Sequence, residues 1–381
     1  MKKIYWRPSK VPRLVLVVIS ILAIAGILSI ELFKTYQKQP YFEEKIKAAL
    51  LMKNAMGVIK EHRMKHFGPI DTELDPAGSG LIGLTSSPIT SSVGYLHVKQ
   101  TTVNPNWAAV MVDMFKKAGV KEGDIIAVGI SGSFPALAIA THAAAETLKL
   151  QVIPISSVAA SNWGSNIPKL TWLDMERILH KEGMISQRSI GASLGGTGDQ
   201  ALGMSEPSLK LLNAAITRNK VRFIEVKSME ESINARMALY KEFSEGKRIA
   251  TYVNVGGGTV SVGTVVGKRL YQPGLNRKPP PAALSVDSVM TRFAREGVPL
   301  IHMVYIDKIA EKYDMPKSPT SMPYVGEGSI FGKLKYNLFL AVGNLVILLL
   351  VLYAFLKLDI GYRIFGSSRM TQPPKHPEPM V

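Results

Sequence analysis

The chain has 381 residues, with 46 Lys and Arg against 29 Asp and Glu and a formal net charge of +17. Its 46% hydrophobic and 20% charged residues exclude a disordered chain, and its length admits one large α/β domain or two smaller ones. The absence of cysteine excludes disulfides, thiolate metal sites and cysteine nucleophiles, without naming a compartment.

Residues 1–13 carry Lys2, Lys3, Arg7, Lys10 and Arg13 and no acid. Leu14 to Ile30 follows without a charge, and Leu32 and Phe33 extend it past Glu31. At 1.5 Å per residue, such a run nearly crosses a hydrocarbon core of about 30 Å. Residues 14–33 are therefore predicted to be a transmembrane helix. The run exceeds a typical signal-peptide core and no A-x-A site follows it, which favours an uncleaved anchor. Residues 338–356 form a second apolar run whose one strongly polar member is Asn344. Asn344 either pairs with a neighbouring helix or is simply tolerated in the run. Tyr5, Trp6, Tyr36, Tyr41, Tyr336 and Tyr362 fall where an interfacial aromatic belt is expected. Lys357, Arg363, Arg369 and Lys375 follow the second run. Positive charge at both ends predicts cytoplasmic tails at 1–13 and 357–381, with everything between the spans on the far side.

Residues 34–104 are predicted to be an amphipathic helix over 41–67 followed by a Gly/Ser/Thr/Pro-rich loop, together a linker to the main domain. From 105 the pattern turns to α/β. Pro105–Lys117 is predicted helical with Asn104 as its cap. Asp124–Ile130, Phe134–Leu148 and Gln151–Ser156 then read as a right-handed βαβ unit. Further strands are predicted at 189–194, 222–226, 249–255 and 298–303, with helices at 207–218, 229–245 and 286–296. The alternation predicts a mostly parallel sheet with helices on both faces, over 105–316. Residues 317–337 read as a linker back to the membrane. From Lys34 to Lys335 there are 37 Lys and Arg against 26 Asp and Glu, a net of +11, which either attracts polyanions or is a solubility charge spread thinly over the surface.

Ligands of open parallel sheets collect beyond the carboxyl ends of strands. Three Ser/Gly clusters are predicted there. The first holds Gly129, Ser131, Gly132 and Ser133. The second holds Ser193, Gly195, Gly196, Thr197 and Asp199. The third holds Asn254, Gly256, Gly257 and Gly258. Backbone N–H groups and small hydroxyls in such loops can cradle an anion. The first cluster partly matches a G-x-S-x-G nucleophile elbow, with Ser133 in place of the last glycine. It makes Ser131 the candidate nucleophile, His302 (or His142) its base and Asp199 (or Asp174) the orienting carboxylate. Small residues are also what any sharp strand-to-helix turn demands. No Walker loop, dinucleotide fingerprint or HExxH occurs, so no cofactor and no metal are expected.

The stretch SSPITSSVGYLHVKQTTVNPNWAA (86–109) and GDIIAVGISGSFPALAIA (123–140), together with the NWGSN, GGTGD, NVGGG and VPLIHM segments, resembles the poly-gamma-glutamate system protein family. The resemblance implies an accessory component in making, exporting or processing that extracellular polyanion beside membrane synthase subunits. It supplies no catalytic residues. The expected partners are the polymer or a related polyanion, the synthase and the lipid bilayer, with no nucleic acid. A serine-dependent amide hydrolase or transferase, and a purely structural assembly partner, are the alternative roles.

Overall fold

The computed structural model describes residues 13–263 and 265–357. The predicted tails lie outside them, apart from Arg13 and Lys357 at the junctions. The chain divides into two compact units, Lys38–Gly332 and the paired chain ends Met1–Gln37 with Lys333–Val381.

The larger unit is built on a seven-stranded sheet. Its strands are β1 (Ile125–Ser131), β2 (Gln151–Ser157), β3 (Gly191–Ser193), β4 (Arg222–Phe223), β5 (Ile249–Val255), β6 (Gly274–Asn276) and β7 (Leu300–Met303). Their order is β4-β3-β2-β1-β5-β7-β6. All pairs are parallel except β7 with the edge strand β6. The chain runs outward from β1 in one direction and then returns to start again at β5. The topological switch point therefore lies between β1 and β5.

Alternation along β1 explains why both faces are covered. Ile126, Val128 and Ile130 join one apolar core, while Ile125 and Ala127 join a second one. Successive strand side chains point to opposite faces, so an unbroken apolar run must be buried twice. The first core takes the helices Trp107–Ala118 and Pro135–Thr147 through residues such as Val112, Phe115, Leu137 and Ile139. The second takes Met229–Phe243 and Val289–Arg295 through Ile233, Tyr240, Met290 and Phe293.

The unit is larger than the 105–316 span read from the sequence. The helix Phe42–Phe67 forms as predicted, yet it is no linker. Ala48, Ala49, Met52, Ala55, Met56 and Ile59 are all buried in the first core. Lys45 is buried too; its Nζ donates to Asp113 Oδ1 and to Ile330 O, each at 3.2 Å. Tyr313 closes the other side of that carboxylate, its hydroxyl donating to Oδ2 at 2.9 Å. The segment read as the returning linker is likewise docked. Ser318 N donates to Thr101 Oγ1 at 3.1 Å, and Asn106 Nδ2 to Tyr324 O at 2.9 Å. Five α-helices among the described residues have no predicted counterpart: Leu96–Thr102, Trp172–Lys181, Thr259–Val262, Val265–Leu270 and Ile306–Lys312. The second opens on a capping box between Thr171 and Asp174.

In the smaller unit, Arg13–Leu32 and Leu338–Lys357 are helices, and Thr35–Lys38 pairs with Gly332–Lys335. Among the described residues one helix is long and apolar enough to cross a membrane, Leu338–Phe355, with mean hydropathy 2.6; the N-terminal helix contributes the shorter apolar stretch Leu16–Leu32. Asn344 joins the two helices. Its Nδ2 donates to Gly26 O at 3.2 Å and to Ser29 Oγ at 2.9 Å. Asn344→Leu is expected to weaken this pairing by only about 0.6 kcal/mol, the usual worth of an interhelical side-chain bond in lipid. Energy transfer between dyes on the two helices, followed during detergent titration, checks it.

Candidate functional site

A cleft of about 360 Å³ opens at the carboxyl ends of the strands around the switch point. All three predicted Ser/Gly loops reach it. Ser131 ends β1 and Ser133 lies in the turn after it, Gly196, Thr197 and Asp199 come from the segment after β3, and Gly257 and Gly258 from the segment after β5. The remaining predicted residues support the walls without lining the cleft. Gly129 lies in β1, where an added Cβ would stand 2.2 Å from the Tyr252 hydroxyl. Gly256 takes φ +89°, and a Cβ there would press to 3.1 Å from Ser131 Cβ. Gly132 is locked between Ser157 O, which its N–H reaches at 3.1 Å, and Ser165, whose N–H and Oγ both donate to its carbonyl. Ser193 and Gly195 sit against Ser157, and Asn254 bonds behind the cleft to Gly256 O and His302.

The three predicted catalytic residues do not form a hydrogen-bonded chain. Ser131 Oγ donates to Ser133 Oγ at 3.1 Å. His302 does not line the cleft. Its Nδ1 accepts from Asn254 Nδ2 at 3.0 Å, and its Nε2 faces Lys268 O at 3.4 Å. Both ring nitrogens are thus occupied, and burial lowers the imidazole to about 4. Asp199 is spent on a buried cluster. Its Oδ1 accepts from Ser193 Oγ at 2.7 Å and Ser157 Oγ at 3.1 Å; its Oδ2 accepts from Ser232 Oγ at 2.6 Å and Arg236 Nη2 at 2.9 Å. Of the substitutes, His142 is fully buried in its helix, and Asp174 caps the helix Trp172–Lys181 and pairs with Arg218 at 2.5 Å.

The residues that give the cleft its chemistry come from elsewhere. Lys99, on the helix Leu96–Thr102, is only 3% exposed. Its Nζ donates to Ser133 O, stands 2.8 Å from Ser161 Oγ, and lies 3.7 Å from the Phe134 ring centroid. Burial pushes this amine down to about 7, and the charge of Lys268 acts in the same direction. Lys268, on the helix Val265–Leu270, is lowered by burial. Neither lysine has a carboxylate partner among the described residues. Ser91 to Tyr95 complete the mouth, with Val93 and Tyr95 exposed. Lys99 fell in the segment read as a linker, and Lys268 in a stretch with no predicted element. Periodicity marks neither as special. A lysine in an otherwise Ser/Thr-rich segment with no acid nearby is the sole sequence signal for Lys99.

No protein-family model matches the chain, and no curated protein or solved structure is significantly similar to it. What the fold and the site define is an α/β protein with a polar, lysine-bearing cleft at the switch point of a parallel sheet.

Proposed function

We propose that this protein is a membrane-anchored accessory component of poly-gamma-glutamate synthesis or export, and that its cleft receives carboxylates of that polymer or a related polyanion. The observation that carries the reading is a cleft containing two lysines, Lys99 and Lys268, that make no ion pair with a carboxylate among the described residues. Burying cationic groups without a partner is unfavourable. A bound carboxylate near Lys268 relieves both the desolvation of that lysine and its repulsion of Lys99. The small side chains and open backbone of Gly257 and Gly258 admit such a group. The net +11 between Lys34 and Lys335 supplies a long-range attraction in the same sense. The apolar runs at the two chain ends would anchor the protein as a two-span chain, with both tails cytoplasmic and the larger unit outside, where an exported polymer emerges.

The test is binding of purified poly-gamma-glutamate to the full chain in detergent, by calorimetry. Lys268→Ala is expected to weaken binding at least tenfold at low salt, with a smaller difference at high salt as screening grows. Equal affinity of the variant and the wild type at low salt would remove the cleft from polymer binding.

A further inference from the structure

We propose that Ser161 and Lys99 form a nucleophile–base pair, and that the cleft performs acyl transfer on an amide or ester whose carboxylate neighbour faces Lys268.

Geometry carries this assignment. Serine nucleophiles are recognised by a base within about 2.6–3.2 Å that is itself oriented by a third group. The Lys99 Nζ to Ser161 Oγ distance is 2.8 Å. The third group is double: Ser133 O accepts from the same Nζ, and the Phe134 ring lies beneath it. An amine that has lost its proton keeps a hydrogen for Ser133 O and turns its lone pair to the Ser161 hydroxyl. Lysines serve as bases where burial and a neighbouring cation favour the neutral form. Lys99 has both, and it makes no ion pair with a carboxylate among the described residues.

The surroundings of Ser161 fit the role. It belongs to the short strand Ala160–Ser161, paired in parallel with Thr90–Ser92, so its backbone is held. Ser161 and Gly94 both line the cleft. A Cβ at Gly94 would come within 3.1 Å of Ser161 Oγ, so glycine there leaves the approach to the hydroxyl open. Gly257 and Gly258 line the same cleft, and their N–H groups make no hydrogen bond among the described residues. Unpaired backbone donors beside a reacting carbonyl are the material of an oxyanion site.

The step balances without any other reagent but water. Ser161 Oγ attacks the carbonyl carbon and its proton passes to Lys99 Nζ. The C–N or C–O bond breaks, and Lys99 returns that proton to the leaving amine or alcohol. Water then attacks the acyl-serine through the same base, releasing a carboxylic acid and restoring both residues. The assignment shares the cleft with the polymer reading but stands without it.

The experiment uses the full chain in detergent and a fluorophosphonate probe. The serine oxygen displaces fluoride at phosphorus, and the adduct is located by mass spectrometry. The expected adduct is on Ser161. Its rate should rise about tenfold between roughly pH 6 and pH 8, as a base titrating near neutrality requires. Ser161→Ala should abolish labelling. Lys99→Arg, which keeps the charge and removes the base, should slow it at least a hundredfold while circular dichroism remains native. The wild-type pH profile needs no variant, so a misfolded variant leaves the test intact. An adduct on Ser131 or Ser133, no adduct at all, or a rate flat across that pH range would overturn the pair. Labelling that persists without polymer binding supports acyl transfer and sinks the polymer reading alone; polymer binding without labelling does the reverse.

Discussion

Arg236→Ala is expected to destabilise the protein by about 3–5 kcal/mol, the usual loss when one member of a buried ion pair is removed. Arg236 is 2% exposed and Asp199 is 4% exposed. The Arg236 Nη2 donates to Asp199 Oδ2 at 2.9 Å, to Ser193 Oγ at 2.7 Å and to Ser157 Oγ at 3.2 Å. Without it, the Asp199 carboxylate keeps three serine hydroxyls and no counter-charge. A buried anion so placed costs more than its hydroxyl partners return. The damage should concentrate at the cleft, because Asp199 ties the segment after β3 to the ends of β2 and β3 and to the helix Met229–Phe243. The pairing predicts strong non-additivity. Combining Arg236→Met with Asp199→Leu removes both charges and should recover most of the loss. Urea-unfolding midpoints of the larger unit check both statements. A double variant as unstable as the sum of the singles would mean that the hydroxyl network, not the ion pair, governs this corner.

The same cluster illustrates what local pattern can reveal. Strands β1, β2 and β5 were legible because parallel strands buried on both faces must be largely apolar: Ile125–Ile130 is apolar throughout, and Ile249–Val255 is apolar apart from Thr251 and Asn254. The convergence of three Ser/Gly loops was legible for a related reason: strand ends in a parallel sheet share one edge, so loops that follow strands meet. Side-chain partnerships were not legible. Asp199 and Arg236 are 37 residues apart, and neither spacing nor composition pairs them. His302 lies in a strand as predicted, yet its ring is occupied by Asn254 and Lys268 O, which local sequence does not announce. The helix Phe42–Phe67 looked amphipathic, and only its packing shows that its alanine-rich face closes a core rather than a membrane surface. Lys99 was hidden for the opposite reason. It sits in a seven-residue helix too short for periodicity to mark, and its chemistry comes wholly from burial.

Stability between about pH 4.5 and 6.5 is expected to be nearly flat with respect to one buried pair, and single substitutions should uncover two opposed slopes. His142 and Glu176 are both fully buried, with His142 Nε2 3.9 Å from Glu176 Oε1. Burial lowers His142 to about 4 from its ordinary 6.5 and raises Glu176 to about 7 from its ordinary 4.5. Both ring nitrogens of His142 and the Oε2 of Glu176 lack hydrogen-bond partners among the described residues, so neither charge is welcome. A histidine lowered by folding contributes stability above its unfolded value, and this is lost as pH falls from 6.5 toward 4. A glutamate raised by folding contributes stability below its unfolded value, and this is lost as pH rises from 4.5 toward 7. Within the shared window the unfolded chain binds about one proton more at histidine and one fewer at glutamate, so the two linkages cancel. Glu176→Gln leaves the histidine alone, and stability should then fall by about 1.4 kcal/mol per pH unit on acidification. His142→Leu leaves the glutamate alone, and stability should fall at a similar rate as pH rises. Denaturant titrations at three pH values within the window measure both slopes. Slopes of the same sign in the two variants, or no slope in either, would show that burial does not hold both groups neutral.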